Sequence, residues 1–98
     1  MTIYFLKDVT MGHGIIGLMF RTNITKLYSF PLGFDKSIHT FFCFCDMDAV
    51  CLDEYGFILK KLHMPAWKVF TCSNYTTRIV EGPVGAFDKY SIGDVIKF

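Results

Sequence analysis

The sequence predicts a mainly β fold, either an antiparallel β-sandwich or a partly closed barrel, with one short helix after the first strand. Short runs rich in β-branched and aromatic residues recur along the chain, and Gly, Pro and Asp separate them. Only one segment has helical spacing of its apolar residues. The chain has 98 residues, of which 52% are hydrophobic, so we expect one domain over residues 1–98 with a single core.

The segment from His39 to Leu59 predicts the central hairpin of this fold. The run from 39 to 52 is dense in aromatic, β-branched and Cys residues. A turn follows before a second apolar run over 57–59, and its residues are Asp53, Glu54, Tyr55 and Gly56. We expect the first run to be one continuous strand, in which alternate residues share a face of the sheet.

The elements before this hairpin are a strand, a helix and a second strand. Residues 2–6 alternate weakly and predict the first strand. Asp8 or Thr10 is expected to cap a short helix that begins near Met11, because a side-chain oxygen there can accept from a backbone N–H of the first turn. Residues 25–30 predict the next strand.

The elements after the hairpin are shorter. The polar residues Lys60, Lys61 and His63 indicate that the second hairpin strand reaches solvent. Pro65 begins a loop because its ring removes a backbone donor. Residues 75–81 are rich in β-branched side chains and predict a strand. We expect one helical turn over 86–90 and a last strand over 95–98.

Charge and hydropathy exclude several classes of protein. Ten Lys and Arg against nine Asp and Glu give a net charge of +1 with scattered signs, so there is no basic stripe for nucleic acid. No apolar run approaches the roughly 20 residues that span a membrane, and the N-terminus lacks a secretory pattern. We therefore expect a cytoplasmic protein. The 17% of aromatic residues favours an exposed apolar patch, for which a homodimer is the simplest explanation.

An ordered set of short motifs runs through the chain from about residue 10 to residue 98. The motifs are Gly17-Leu18-Met19-x-Arg21, Ile38-His39-Thr40-Phe41-Phe42, Asp48-x-x-x-Leu52-Asp53-x-x-Gly56, Pro65-x-Trp67, Val80-Glu81-x-Pro83-x-Gly85 and Gly93-Asp94. In order and spacing this set resembles the small β domain of domain of unknown function family one hundred ninety-two. The resemblance implies a mostly β, sandwich-like domain with a short helix after the first strand, and it implies no established activity.

The chain departs from the family pattern at two places. Members often read Met-Arg-x-Pro-Ile-Asp after the His-Thr pair, whereas this chain reads Cys43-Phe44-Cys45-Asp46-Met47-Asp48 and lacks the Arg and the Pro. This chain therefore lacks the side chain for any role that depends on that Arg. Cys72 also has no place in the family pattern.

The four cysteines can be interpreted in three ways: as metal ligands, as a redox pair or as core residues. His39, Cys43 and Cys45 with Cys72 or His63 supply the ligand types of a zinc site, but the usual pair of C-x₂₋₄-C spacings is absent. Redox chemistry is a second interpretation, although Cys43 and Cys45 point the same way about 7 Å apart in a strand and do not bridge each other. Packing in the core is the favoured one, because Cys is among the most buried residue types.

Six residues are candidates for a binding site. A buried carboxylate must be paired, and Arg21 is the obvious partner for Asp48 or Glu81, so one interpretation is an Arg-carboxylate contact that joins helix to sheet, with His39 and Thr40 satisfying backbone groups. The other is a shallow pocket for a small polar ligand. Its residues are Arg21, His39, Thr40, Asp48, Trp67 and Glu81, with Phe42 at the rim.

The sequence thus predicts a non-catalytic domain that binds a small polar ligand or a protein partner, with no cofactor and no metal. Whether it is an enzyme stays open. The alternatives are a small hydrolase-like enzyme with His39 as base and Asp48 as its orienting group, or a Cys/His metal-binding protein. No Ser or Cys nucleophile is placed by a recognisable turn.

Overall fold

The structure is a computed structural model that describes residues 1–6, 9–11, 27–31, 37–39 and 44–98. Within these residues the chain forms nine strands and no helix. The strands are β1 (Ile3–Phe5), β2 (Val9–Met11), β3 (Leu27–Pro31), β4 (Ser37–His39), β5 (Met47–Leu52), β6 (Ile58–Met64), β7 (Val69–Thr71), β8 (Arg78–Gly82) and β9 (Val95–Lys97). The predicted mainly β fold is confirmed.

Five strands form one sheet in the order β2-β3-β8-β5-β6, and two smaller ladders pair β1 with β9 and β4 with β7. Most pairs are antiparallel, as predicted, whereas β1 runs parallel to β9 and β2 runs parallel to β3. The predicted closure into a sandwich or barrel stays a prediction.

The predicted hairpin turn is present between β5 and β6. The Gly56 N–H donates to the Asp53 carbonyl at 3.1 Å, and the Asp53 side chain accepts from the backbone of Tyr55 and Phe57 at 2.9 and 3.0 Å. Gly56 has a φ of 90°, which glycine adopts without a Cβ clash. The Asp-Glu-Tyr-Gly sequence therefore sets where the chain reverses.

Apolar clusters cover both faces of the five-stranded sheet. Because side chains alternate along β5, Met47, Ala49 and Cys51 point to one face, and the buried cluster there also contains Cys72, which follows β7. Val50 and Leu52 point to the other face. There they join Ile96 of β9 and Phe87 in the second cluster. The central strand is buried on both faces for this reason.

Three expectations need correction. The predicted continuous strand over 39–52 is two strands: β4 ends at His39 and pairs with β7, and β5 begins only at Met47 after a bend at Cys45. Met11, predicted to begin the helix, ends β2, because β2 pairs along β3 from Val9 to Met11. Residues 86–90 form successive turns rather than a helix, with hydrogen bonds that span three residues. The rest of the predicted helix, over residues 12–21, lies outside the described residues.

No helix in the described part of the chain combines the length and the apolar character needed to cross a membrane.

Candidate functional site

Asp48 is the residue on which the candidate site is built. It lies in β5, directly opposite His63 of β6 and Gly82 of β8. Its Oδ1 lies 2.7 Å from Nδ1 of His63, and its Oδ2 accepts the backbone N–H of Gly85 at 2.8 Å. Both carboxylate oxygens are thus engaged, and the side chain ties two strands to the turn that follows β8.

The contact with Asp48 fixes how the His63 ring presents itself. An ionised carboxylate only accepts hydrogen bonds, so Nδ1 of His63 carries the hydrogen and donates it. In the neutral ring Nε2 then offers a lone pair, and in the protonated ring it offers a second N–H. The His63 side chain is 56% exposed, so this nitrogen is available to a ligand.

A shallow hollow of about 180 Å³ lies against this pair. It is lined by polar groups of Asp48, Lys61, His63 and Asp88 and by the buried ring of Phe87. Lys61 stands two residues before His63 on the same face of β6, and its Nζ donates to the Tyr90 carbonyl at 2.8 Å. The hollow is smaller than a typical site of 300 Å³ or more for a drug-sized molecule, so it suits a smaller one.

Glu81 does not share this hollow. It lies opposite Ala49 and Tyr28, on the face of the sheet away from Asp48. Its side chain is buried, and burial raises the pKa of its carboxyl group from the ordinary 4.5 to about 7, with a smaller contribution from the charge of Cys72. The structure therefore separates two carboxylates that the sequence placed in one candidate site.

Trp67 also lies apart from the hollow. It follows the end of β6 in a turn where the Ala66 N–H donates to the Asp46 side chain at 3.2 Å. Its φ is 61°, and its ring packs edge-on against Phe44 with 5.9 Å between centroids. Both rings are about half exposed, which makes them a surface aromatic pair rather than part of the lining around Asp48.

The remaining candidates fall at the boundary of what the structure describes. The backbone of His39 lies in β4 opposite Val69 of β7, while its side chain, together with Arg21 and Thr40, lies outside the described residues. The predicted convergence of Arg21, His39 and Asp48 stays a prediction. Of the candidates that are described, Asp48 lines the hollow, whereas Trp67 and Glu81 do not.

Sequence reasoning named His63 only as an alternative zinc ligand and missed its contact with Asp48. The hairpin could have indicated this contact. Residues equally far before and after the turn at Asp53 to Gly56 face each other, which brings Asp48 opposite the polar end of β6. A bulge between Cys51 and Leu52 shifts that register, so the count alone does not give the partner. Across the described residues, no three His, Cys, Asp or Glu side chains lie close enough to hold a metal ion together.

Two curated proteins of archaea align with most of the chain. The UPF0127 protein of Thermococcus gammatolerans is 28% identical over 88 residues, and that of Thermococcus kodakarensis is 30% identical over 88 residues. The chain is similar to UPF0127 proteins. Each alignment covers 84% of this chain but only 58% and 56% of the relative, so the chain spans a little over half the length of the curated relatives it matches.

These relatives are uncharacterised proteins, which agrees with the expectation that the resemblance implies no established activity. No family model matches the chain, and no solved structure matches it. The more specific resemblance to family one hundred ninety-two is therefore not confirmed by a family model.

Proposed function

We propose that this chain is a non-catalytic binding domain that takes a small polar ligand at the hollow beside Asp48 and His63. The observation that carries the proposal is the double engagement of the Asp48 carboxylate, by His63 at 2.7 Å and by the Gly85 N–H at 2.8 Å. With both oxygens engaged inside the protein, Asp48 acts as a support that orients the exposed ring of His63.

The nitrogen-bearing side chains define the class of ligand. Lys61 donates one of its three N–H groups to the Tyr90 carbonyl, and no other acceptor for it lies among the described residues. The protonated ring of His63 offers one N–H at Nε2. Two donors on one face of an edge strand favour a ligand with a hydrogen-bond-accepting group, such as a carboxylate. Phe87 supplies the apolar floor.

Titration of the whole chain with acetate, followed by amide NMR, tests this proposal. We expect saturable shifts at His63 and Gly85, and we expect Lys61→Ala to weaken acetate binding roughly tenfold through the loss of a charged hydrogen bond. Lys60→Ala is the matched control, because Lys60 lies opposite Cys51 and so points to the other face of β6. Equal behaviour of the two lysine variants would refute the proposed site.

A second candidate function rests on the same pair. A His whose Nδ1 donates to a carboxylate has the arrangement of a general base and its orienting group, with His63 in the role that the sequence assigned to His39. In the described part of the chain no hydroxyl or thiol is hydrogen-bonded to His63, which favours the binding function. Ester hydrolysis by the purified chain that disappears in His63→Ala would decide for the enzyme.

We also infer common ancestry with the UPF0127 proteins over the aligned 88 residues, on the support of 28% and 30% identity with two of them. A crystal structure of either Thermococcus protein tests this inference. We expect it to contain the strand order β2-β3-β8-β5-β6, and a different order would contradict the inference.

A further inference from the structure

Two buried cysteines lie next to each other in the apolar cluster on the face away from Asp48. The Sγ atoms of Cys51 and Cys72 are 3.0 Å apart, and the two residues are 0% and 4% exposed. Cys51 lies in the central strand β5, and Cys72 follows β7. A disulfide requires a sulfur–sulfur distance of about 2.05 Å, so the two atoms need to approach by only about 1 Å.

The surroundings of the pair suit an uncharged cross-link better than a thiolate. Met47, Met64 and Ile79 pack in the same cluster, and the hydrogen bond to Cys72 together with burial raises the pKa of the Cys51 thiol well above its ordinary value. A disulfide carries no charge and needs no hydrogen-bond partner, so it loses nothing by burial among these side chains.

The chain around Cys72 gives the pair a route to solvent. Ser73, Asn74 and Tyr75 after it are exposed, and the turn they form is closed by the hydrogen bond from the Thr76 N–H to the Ser73 carbonyl at 3.0 Å. Local opening of such a short exposed turn costs less than global unfolding. Cys72 therefore reaches a reagent before Cys51 does.

We propose that Cys51 and Cys72 are a reversible dithiol–disulfide pair, oxidised by thiol–disulfide exchange with a small-molecule disulfide. The thiolate of Cys72 attacks one sulfur of the reagent, forms a mixed disulfide and expels one thiolate, which takes up a proton. Cys51 then loses its thiol proton as it attacks the Cys72 sulfur, and it expels the second reagent thiolate, which takes up a proton. The chain loses two hydrogens and two electrons, and the reagent gains them as two thiols.

Peptide mapping of the wild-type chain tests the proposal without any substitution. The folded chain is equilibrated with oxidised and reduced glutathione at several ratios, quenched with acid, alkylated in denaturant and analysed by mass spectrometry. We expect a Cys51–Cys72 linked peptide that grows with the oxidised fraction, is reversed by dithiothreitol and raises Tm by roughly 10 °C, because the cross-link closes a loop of about 20 residues.

Cys45→Ser is the matched control, because Cys45 packs against the same cluster without being part of the pair. We expect the link to persist in Cys45→Ser and to vanish in Cys72→Ser. Full alkylation of both Cys51 and Cys72 at every ratio would overturn the proposal, and so would a link that joins either of them only to Cys43 or Cys45. Because the wild-type map already decides, a variant that fails to fold leaves the test intact.

Discussion

Asp48 and His63 face each other across β5 and β6, with 2.7 Å between Oδ1 and Nδ1, although the histidine side chain is more than half exposed. The carboxylate side chain is 16% exposed and also holds the Gly85 N–H. Asp48 is thus a structural anchor whose outer partner is available to a ligand.

Removing Asp48 is expected to cost more stability than removing its partner. Asp48→Ala removes two hydrogen bonds, the one with His63 and the one from the Gly85 N–H, so we expect the free energy of unfolding to fall by about 1 to 2 kcal/mol. His63→Ala loses only an exposed contact and is expected to cost under about 1 kcal/mol. Urea unfolding measures both, with Asp88→Ala as an exposed control. If His63→Ala costs as much as Asp48→Ala, the contact between Asp48 and His63 accounts for the whole loss and the bond to Gly85 contributes nothing.

Burial of Glu81 predicts that stability falls as pH rises. The folded pKa of about 7 lies above the ordinary 4.5, so between these values the folded state keeps a proton that the unfolded state releases. Stability is highest below pH 4.5 with respect to this group and declines through pH 7, by up to about 3 kcal/mol.

Urea unfolding across pH 4.5 to 8 checks this prediction. Glu81→Gln mimics the protonated carboxyl group and is expected to flatten the decline. Glu54→Gln changes the chain's other glutamate, which is exposed in the hairpin turn, and is expected to leave the decline unchanged. An identical pH profile for wild type and Glu81→Gln would contradict the prediction.

Two glycines with similar backbone angles are expected to differ in their tolerance of alanine. Gly56 and Gly93 have φ values of 90° and 94°, so a side chain is strained at either position. A Cβ on Gly56 would lie 2.5 Å from the Ile96 carbonyl oxygen, whereas a Cβ on Gly93 meets no atom within 4 Å in the described structure.

We expect Gly93→Ala to lower the free energy of unfolding by roughly 1 to 2 kcal/mol and Gly56→Ala by about 3 kcal/mol or more. The added cost at Gly56 comes from a backbone atom of β9 that cannot move without breaking the hydrogen bond from the Ile96 N–H to the Gly56 carbonyl. Chemical denaturation of both variants gives the comparison. Equal losses would show that the strain of the backbone angle accounts for the whole effect.

The hydrogen bonds of Asp94 link the two ends of the chain, and we expect the stability that they contribute to be lost in acid. Its carboxylate accepts the Ser91 N–H at 3.0 Å and the Thr2 N–H at 3.1 Å, and these hydrogen bonds lower its pKa below the ordinary 3.8. The stability it contributes is present above that ordinary value and is lost as pH falls through the folded pKa. We expect Asp94→Ala to lower Tm at pH 7 and to lose less on acidification than wild type does, which thermal scans at pH 7 and pH 2 measure.

The sequence by itself determined the β class, the hairpin turn and several of the strands that precede and follow this hairpin in the chain. The turn is predictable because Asp53 and Gly56 act within four residues, through a side-chain acceptor and a positive φ. The strand predicted over 75–81, which the structure shows at Arg78–Gly82, is predictable because β-branched residues fit a pleated, half-buried surface. Such signals depend on near neighbours in the chain, which a sequence displays directly.

The tertiary structure alone decided which residues meet. The run from 39 to 52 is rich in apolar residues and contains no Gly or Pro to mark a break, and its division between two ladders follows from pairing of β4 with β7. Asp48 and Glu81 both belong to the motifs that carry the family resemblance, yet the register of β5 against β8 places them on opposite faces of the sheet. A shift of one residue in that register would exchange the faces, and the strand pairing that fixes it joins residues about 30 positions apart in the chain.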